Sequence, residues 1–397
     1  MLKTFFFLML MVLLLIGLFV PNGHLAFFIA LVTYIYIGLI VERRSSVHMM
    51  FFLGFSTFIF LPAILNWYYL GVEFSLYFLT TIASLLFIFL TRKTKVKPFY
   101  ERGAVVYLFI SMCFFCLALV VLGEGGLVKG LFAFLIILMS MSFSQNNFRR
   151  NSAIFSAFFL VFIAYALFSW SGFGRTVTVG WLLLAGLQFA YSVGFHINKY
   201  VFGLIPGLAA TLFSSRDLLK LKFNSFEAAL YDSAYAPYRF ASSLIEQFEQ
   251  RGYDFAGFFD QIIFTLFVFV PRDIWPSKPY GFGFEYTVRH LDTYLVDAGH
   301  SVASTLIGDH IYYLGYLGVF TSLIIMAVLA VPVNFLYRIK GLNGNGVLLF
   351  SASMMVLVWG GMTSFSARVA LPSIMFVILF ILLRRFLTRK VKFVWEH

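Results

Sequence analysis

Twelve apolar runs, each bounded by charges or turn residues, follow one another along this chain at 4–20, 24–41, 49–70, 74–91, 103–122, 127–143, 152–170, 176–193, 198–214, 312–337, 346–363 and 368–386. A membrane-crossing helix needs about 20 predominantly apolar residues, and these runs sit at or slightly below that length. Composition agrees, since 61% of the 397 residues are hydrophobic and 12% are charged. A soluble domain averages about 25% charged and about 45–50% apolar residues, so that class is excluded, as are disordered and collagen-like chains. The sequence predicts an all-α, polytopic membrane bundle, because helices satisfy their own backbone in lipid. The first run follows Lys3 but lacks a small-residue cleavage site, and eleven more runs succeed it. It reads as a span and not as a signal peptide.

Lys and Arg in the short loops set the orientation. With the N-terminus in the cytoplasm and spans alternating, the inside segments carry eighteen basic residues and the short outside loops three: Lys129, Arg175 and Arg368. Both termini are then cytoplasmic. The inside segments hold three acidic residues against those eighteen, a balance of +15, out of a whole-chain charge of +12. The basic excess therefore records membrane orientation and gives no sign of a nucleic-acid partner. Cys113 and Cys116 share one span, and no second pair completes a metal or redox motif, so they read as small apolar side chains.

The organisation is a bundle at 1–214, an extracytoplasmic loop at 215–311, and a bundle with a basic tail at 312–397. Twelve of the seventeen acidic residues lie in that loop, and loops of such length are usually functional. Its first part, 226–251, is an amphipathic helix with Tyr238, Ala241, Leu244, Ile245 and Phe248 on one face and Gly252 as its stop. That face rests either on the membrane surface or on the bundle. Next, 258–270 is too short to span and too apolar for open water, so it is re-entrant or buried. It ends in Pro271-Arg272-Asp273-Ile274-Trp275-Pro276-Ser277-Lys278-Pro279. Three prolines enforce an extended, irregular backbone. Arg272 offers a fork for phosphate, Lys278 a point charge, and Trp275 a face for sugar C–H groups. The alternative is an interfacial Trp belt with snorkelling cations.

Pro271, Arg272, Trp275, Pro276, Lys278 and Pro279 resemble the loop signature of the bacterial oligosaccharide repeat-unit polymerases, or O-antigen polymerases of the Wzy type. Asp232 and Arg239 are similar to an Asp-then-Arg pattern on that family's loop helix. Gly308, Asp309, Tyr312, Gly315 and Gly318 resemble its acidic, aromatic, Gly-x-x-Gly element, although the family often carries Glu where Asp309 stands. The match is sharpest over about 230–320. The resemblance implies a membrane glycosyltransferase of the GT-C kind in the bacterial inner membrane. Such an enzyme transfers a growing glycan from undecaprenyl diphosphate to a new lipid-linked repeat unit. It implies no nucleotide sugar and no bound metal, and it implies membrane lipids, a chain-length regulator and a flippase as neighbours.

That chemistry needs cations for the leaving diphosphate and a base for the acceptor hydroxyl. The catalytic candidates are His300, Arg272, Arg239 and Asp309. His300 sits near the loop's return to the membrane, at a spacing similar to that of a functional His in the related O-antigen ligases, and an imidazole titrates near neutrality. A surface His bonded to Asp297 is the competing reading. The substrate-binding candidates are Arg175, Trp275, Lys278, Arg289, His310, Tyr313 and Arg368. Arg175 opposes the positive-inside bias and so needs a partner or ligand. Arg289, beside His290 with Glu285 and Asp292 near, fits an ordinary surface salt bridge better, and Arg368 equally fits a snorkelling helix end. Two other functions remain open: an O-antigen ligase, or a flippase or transporter of lipid-linked oligosaccharide. The Pro/Trp/Lys signature favours the polymerase over the first. The near absence of ionisable residues inside the spans disfavours the second.

Overall fold

A computed structural model describes residues 2–19, 23–40, 46–60, 62, 74–91, 225, 235–268, 270–291, 293–297, 301–338 and 345–366. Among them every regular element is helical. Leu2–Phe19 (α1) packs on Gly23–Ile40 (α2), and Ser46–Phe55 (α3) tightens into a π-helical turn at Ser56–Phe60, before Phe74–Leu90 (α4). These helices match the first four apolar runs, the third of them over part of its length. Two threonines inside them return their hydroxyls to the preceding turn, Thr33 to the Ile29 carbonyl at 2.6 Å and Thr57 to that of Leu53 at 2.7 Å. A polar side chain is so accommodated without a partner helix. The runs at 103–122, 127–143, 152–170, 176–193, 198–214 and 368–386 lie outside the described residues.

The loop contributes Ala236–Arg251 (α5), Phe255–Leu266 (α6), Phe282–His290 (α7) and the short Thr293–Asp297 (α8). Pro237 opens α5, where a missing N–H costs nothing, and Gly252 closes it at φ +76° with its N–H on the Phe248 carbonyl. Tyr238, Ala241, Leu244 and Ile245 are buried, while Arg239, Glu246 and Glu249 are exposed. The predicted apolar face is therefore real, and it is covered by protein: its main neighbour is Thr305–Leu314 (α9). The two helices approach so closely that a Cβ on Gly308 would stand 3.3 Å from that of Ala241. The face thus rests on another helix of the same chain. The short apolar helix begins at Phe255, earlier than its hydrophobicity suggests, because Asp254 caps it by accepting the Gly257 N–H at 2.8 Å.

The run at 312–337 is broken near its start. Gly315 takes φ +54°, ending α9 at Leu314, and Tyr316–Arg338 (α10) sets off in a new direction. A side chain at 315 would strike the Phe248 ring, and a Cβ at Gly318 would lie 2.5 Å from the His310 carbonyl carbon. The Gly-x-x-Gly pair thus lets one helix end and the next cross its final turn. On α10, Phe320, Ile324, Val328 and Val331 form an exposed apolar stripe at helical spacing. Asn345–Phe365 (α11) is kinked at Gly361.

Among the described residues no helix is long and apolar enough to cross a membrane. The chain divides into two compact units, one of Met1–Lys95, Ile197–Asn334 and Met354–Ala367, the other of Val96–His196, Phe335–Ser353 and Arg368–His397. Everything described below belongs to the first.

Candidate functional site

Helix α9 is buried from Thr305 to Leu314 and carries the chemistry of the unit on both ends. Asp309, 2% exposed, accepts the Ser304 hydroxyl at 2.6 Å and both the N–H and hydroxyl of Thr363 at 3.2 Å. Those last donors are available because Gly361 adopts φ +70°, ψ −169°, a region open essentially to glycine alone, which interrupts α11 and frees the N–H groups beyond it. The carboxylate fills the gap as a cap would, and any Cβ at Gly361 would overlap it. Burial raises the Asp309 pKa to about 6, against the lowering effect of the Ser304, Thr363 and Met362 bonds. The next residue, His310, is 5% exposed, and burial lowers its pKa to about 4. Its Nδ1 lies 2.9 Å from the Thr321 hydroxyl, whose proton goes to the Gly318 carbonyl at 2.9 Å. Nδ1–H is therefore the donor, and Nε2 carries the lone pair.

The 271–279 turn is closed by its own cations. Arg272 donates to the Lys278 carbonyl at 2.6 Å and the Pro279 carbonyl at 2.9 Å, with its guanidinium 3.8 Å above the Tyr280 ring. Lys278, 6% exposed, turns back to donate to the Val268 and Val270 carbonyls at 2.9 Å each. These carbonyls follow the end of α6, where helical partners have run out. Burial, and then the Arg272 charge, lower the Lys278 pKa. Trp275 directs its indole N–H to Ser277 at 2.9 Å and sets its ring edge-on to Phe267. Ile274 is left 75% exposed.

A third cluster forms where α5, α6, α7 and α9 meet. Gln261, 6% exposed, accepts the Phe282 N–H at 2.6 Å and donates to the Tyr280 carbonyl and to Glu285. Glu285 takes the Tyr313 hydroxyl at 2.6 Å on the same oxygen and pairs with Arg289 through the other at 2.8 Å. Arg289 also reaches Asp254 at 3.8 Å. On the neighbouring face Arg251 lies 3.8 Å over the Tyr312 ring and donates to the Tyr312 carbonyl at 2.8 Å, satisfying the end of α9. The Tyr312 hydroxyl meets His290 Nε2 at 2.7 Å. Burial, then the charges of Arg251 and Arg289, lower the His290 pKa.

The sequence candidates are therefore distributed in three ways. Arg272, Trp275 and Lys278 are held within one turn. Asp309, His310 and Tyr313 share α9, and Arg289 joins Tyr313 through Glu285, in the ion pair that was its alternative reading. Tyr313 itself is fully buried, and Arg239 is exposed on α5. His300, Arg175, Arg368 and Asp232 lie outside the described residues. Gln261, Glu285, Arg251 and His290 were not singled out from the sequence. Apart from the Glu285–Arg289 pair, four residues apart, the side-chain hydrogen-bond partners of these residues stand 19 to 61 residues away, a separation that leaves no local pattern. No family model, curated protein or solved structure matches this chain.

Proposed function

We propose that this protein polymerises lipid-linked oligosaccharide repeat units at the outer face of the bacterial inner membrane. The supporting observation is that the three separated stretches carrying the family resemblance, the loop helix, the Pro/Trp/Lys turn and the Asp309-to-Gly318 element, belong to one compact unit, in which the loop helix packs on α9. The exposed apolar stripe of α10 and the apolar helices α1 to α4 favour a bilayer around it.

In the proposed reaction a hydroxyl of the new lipid-linked unit attacks the anomeric carbon of the growing glycan. The bond from that carbon to the diphosphate breaks, undecaprenyl diphosphate leaves with the electron pair, and the hydroxyl proton passes to a base. Cations near the leaving group stabilise its charge most where water is scarce. His300 remains the candidate base. The bonds made by Asp309 tie α9 to α11, so its contribution is positional: it holds two helices in register beside the site.

The test is direct. Purified protein mixed with its lipid-linked repeat unit should yield a ladder of glycan lengths. No ladder with authentic substrate, together with measurable translocation of that lipid across vesicles, would replace this reading with the transporter. Attachment to lipid A core without a ladder would replace it with the ligase.

A further inference from the structure

Like charges are not brought together without a compensating gain, and the junction of α5, α7 and α9 gathers three groups able to carry positive charge around one tyrosine. Arg251 ends α5, Arg289 and His290 end α7, and all three lie against Tyr312. The nearby carboxylates are already engaged: Glu285 by Gln261, Tyr313 and Arg289, and Asp254 by the Gly257 N–H and, at 3.8 Å, Arg289. No carboxylate pairs with Arg251 among the described residues. Its guanidinium is held flat by ring stacking and one carbonyl, which leaves the remaining N–H donors of a rigid fork, and the side chain is exposed. His290 is exposed as well, and Arg289 is half exposed.

The apolar surroundings are equally specific. Immediately after Arg251 come Tyr253 and Phe255, each 56% exposed, with rings stacked at 5.6 Å and 12°. Phe255 begins a stripe along α6, continued by Phe259 at 60% and Leu266 at 63% exposure. A forked cationic site that leads into an exposed aromatic and aliphatic stripe is complementary to an amphiphile with a phosphate head.

We infer that Arg251, Arg289 and His290 form the headgroup site for a diphosphate-bearing prenyl lipid, with Tyr253, Phe255 and the α6 stripe against its chain. This deepens the polymerase reading, on which it rests, by assigning the leaving group to residues outside the Pro/Trp/Lys turn.

The experiment measures binding of undecaprenyl diphosphate, undecaprenyl monophosphate and inorganic pyrophosphate to the full chain in detergent micelles. The diphosphate lipid should bind at least tenfold more tightly than either other probe. Arg251→Gln should weaken it tenfold or more, and His290→Asn and Arg289→Lys severalfold, while the exposed Glu249→Gln leaves it unchanged. Because Arg251 also caps α9, its thermal midpoint is measured alongside. If Arg251→Gln fails to fold, His290→Asn and Arg289→Lys, which spare the cap, decide the matter. Unchanged diphosphate-lipid affinity in folded variants, or equal affinity for free pyrophosphate, overturns the assignment. A glycan ladder from wild-type protein with unchanged binding in the variants would sink this site and leave the polymerase standing. Lipid binding that depends on these residues, without any ladder, would do the reverse.

Discussion

The 271–279 turn and the junction around Tyr312 both hold two obligate cations, yet they use them in opposite ways. In the turn, Arg272 and Lys278 spend their donors on four backbone carbonyls, and Lys278 is almost fully buried. At the junction, Arg251 gives one donor to one carbonyl and keeps an exposed face, and Arg289 shares its charge with Glu285 while half exposed. A sequence motif can thus be distinctive because it builds a shape. The three prolines leave the turn short of backbone donors, and its cations stand in for the hydrogen bonds a helix or sheet would have provided. Of these cations, the ones with exposed donors left over are those the motif does not contain.

This contrast has measurable consequences, and the largest is expected in the turn. Lys278→Met retains the apolar stem and strands the Val268 and Val270 carbonyls. Losing two charge-assisted bonds in a buried setting should cost about 4 kcal/mol. Thermal unfolding in detergent should show it, and any loss of chain growth should be recovered by assaying at low temperature. A variant of normal thermal stability with no activity would instead make Lys278 a substrate contact and collapse the distinction between the two regions.

The helix beneath the junction supplies the next effect. Burial raises Asp309 from 3.8 to about 6 and lowers His310 from 6.5 to about 4. For the aspartate, the stabilising contribution is complete below the unfolded value and is lost as pH rises through about 6. For the histidine it is complete above its unfolded value and is lost as pH falls through about 4. Between those limits the unfolded pair is Asp⁻ with His⁺ and the folded pair is neutral, so each state binds one proton and the slopes cancel. Wild-type stability should therefore gain no pH dependence from this pair between pH 4 and 6. His310→Asn should expose the aspartate alone, with stability falling as pH rises over that interval by about 3 kcal/mol. Equal pH profiles for the two proteins would show that Asp309 is not held in a neutralising environment.

How much of this could be read in advance depended on whether the determining partner was near in sequence. The α5 face and its stop at Gly252 were legible, because helical periodicity and glycine act within a few residues, whereas the run at 312–337 gave no sign of its break at Gly315. That Gly315 and Gly318 matter could be seen. Their reason, Phe248 and the end of α9, could not. Helix α7 was missed, since its stability comes from Gln261 and from aromatic packing of Phe282 and Tyr286 on Tyr312. The inward turn of Lys278 was invisible for the same reason. A carbonyl left over by a helix end has no signature in side-chain order.

At the junction, stability and activity should separate. Arg251→Gln removes one bond to the Tyr312 carbonyl and a cation–ring contact, together worth about 2 kcal/mol. Chain growth should fall tenfold or more, which is larger than that stability loss can explain in a protein still folded at the assay temperature. Parallel losses in melting temperature and rate would return Arg251 to a framework role like that of Arg272.

The smallest expected change is also the most discriminating test of the turn. Trp275→Phe deletes the indole N–H that bonds the exposed Ser277 hydroxyl, and preserves an aromatic ring beside Phe267. An exposed bond of that kind contributes at most about 0.5–1 kcal/mol, so the melting temperature should hardly move. If the turn is framework alone, the rate of chain growth is unchanged too, because nothing in the scaffold depends on that N–H. If the indole lies against a sugar, the smaller ring loses contact area and the KM for the lipid-linked unit rises severalfold at constant stability. That single divergence would make the turn a second contact surface, built by its buried cations and used through its tryptophan.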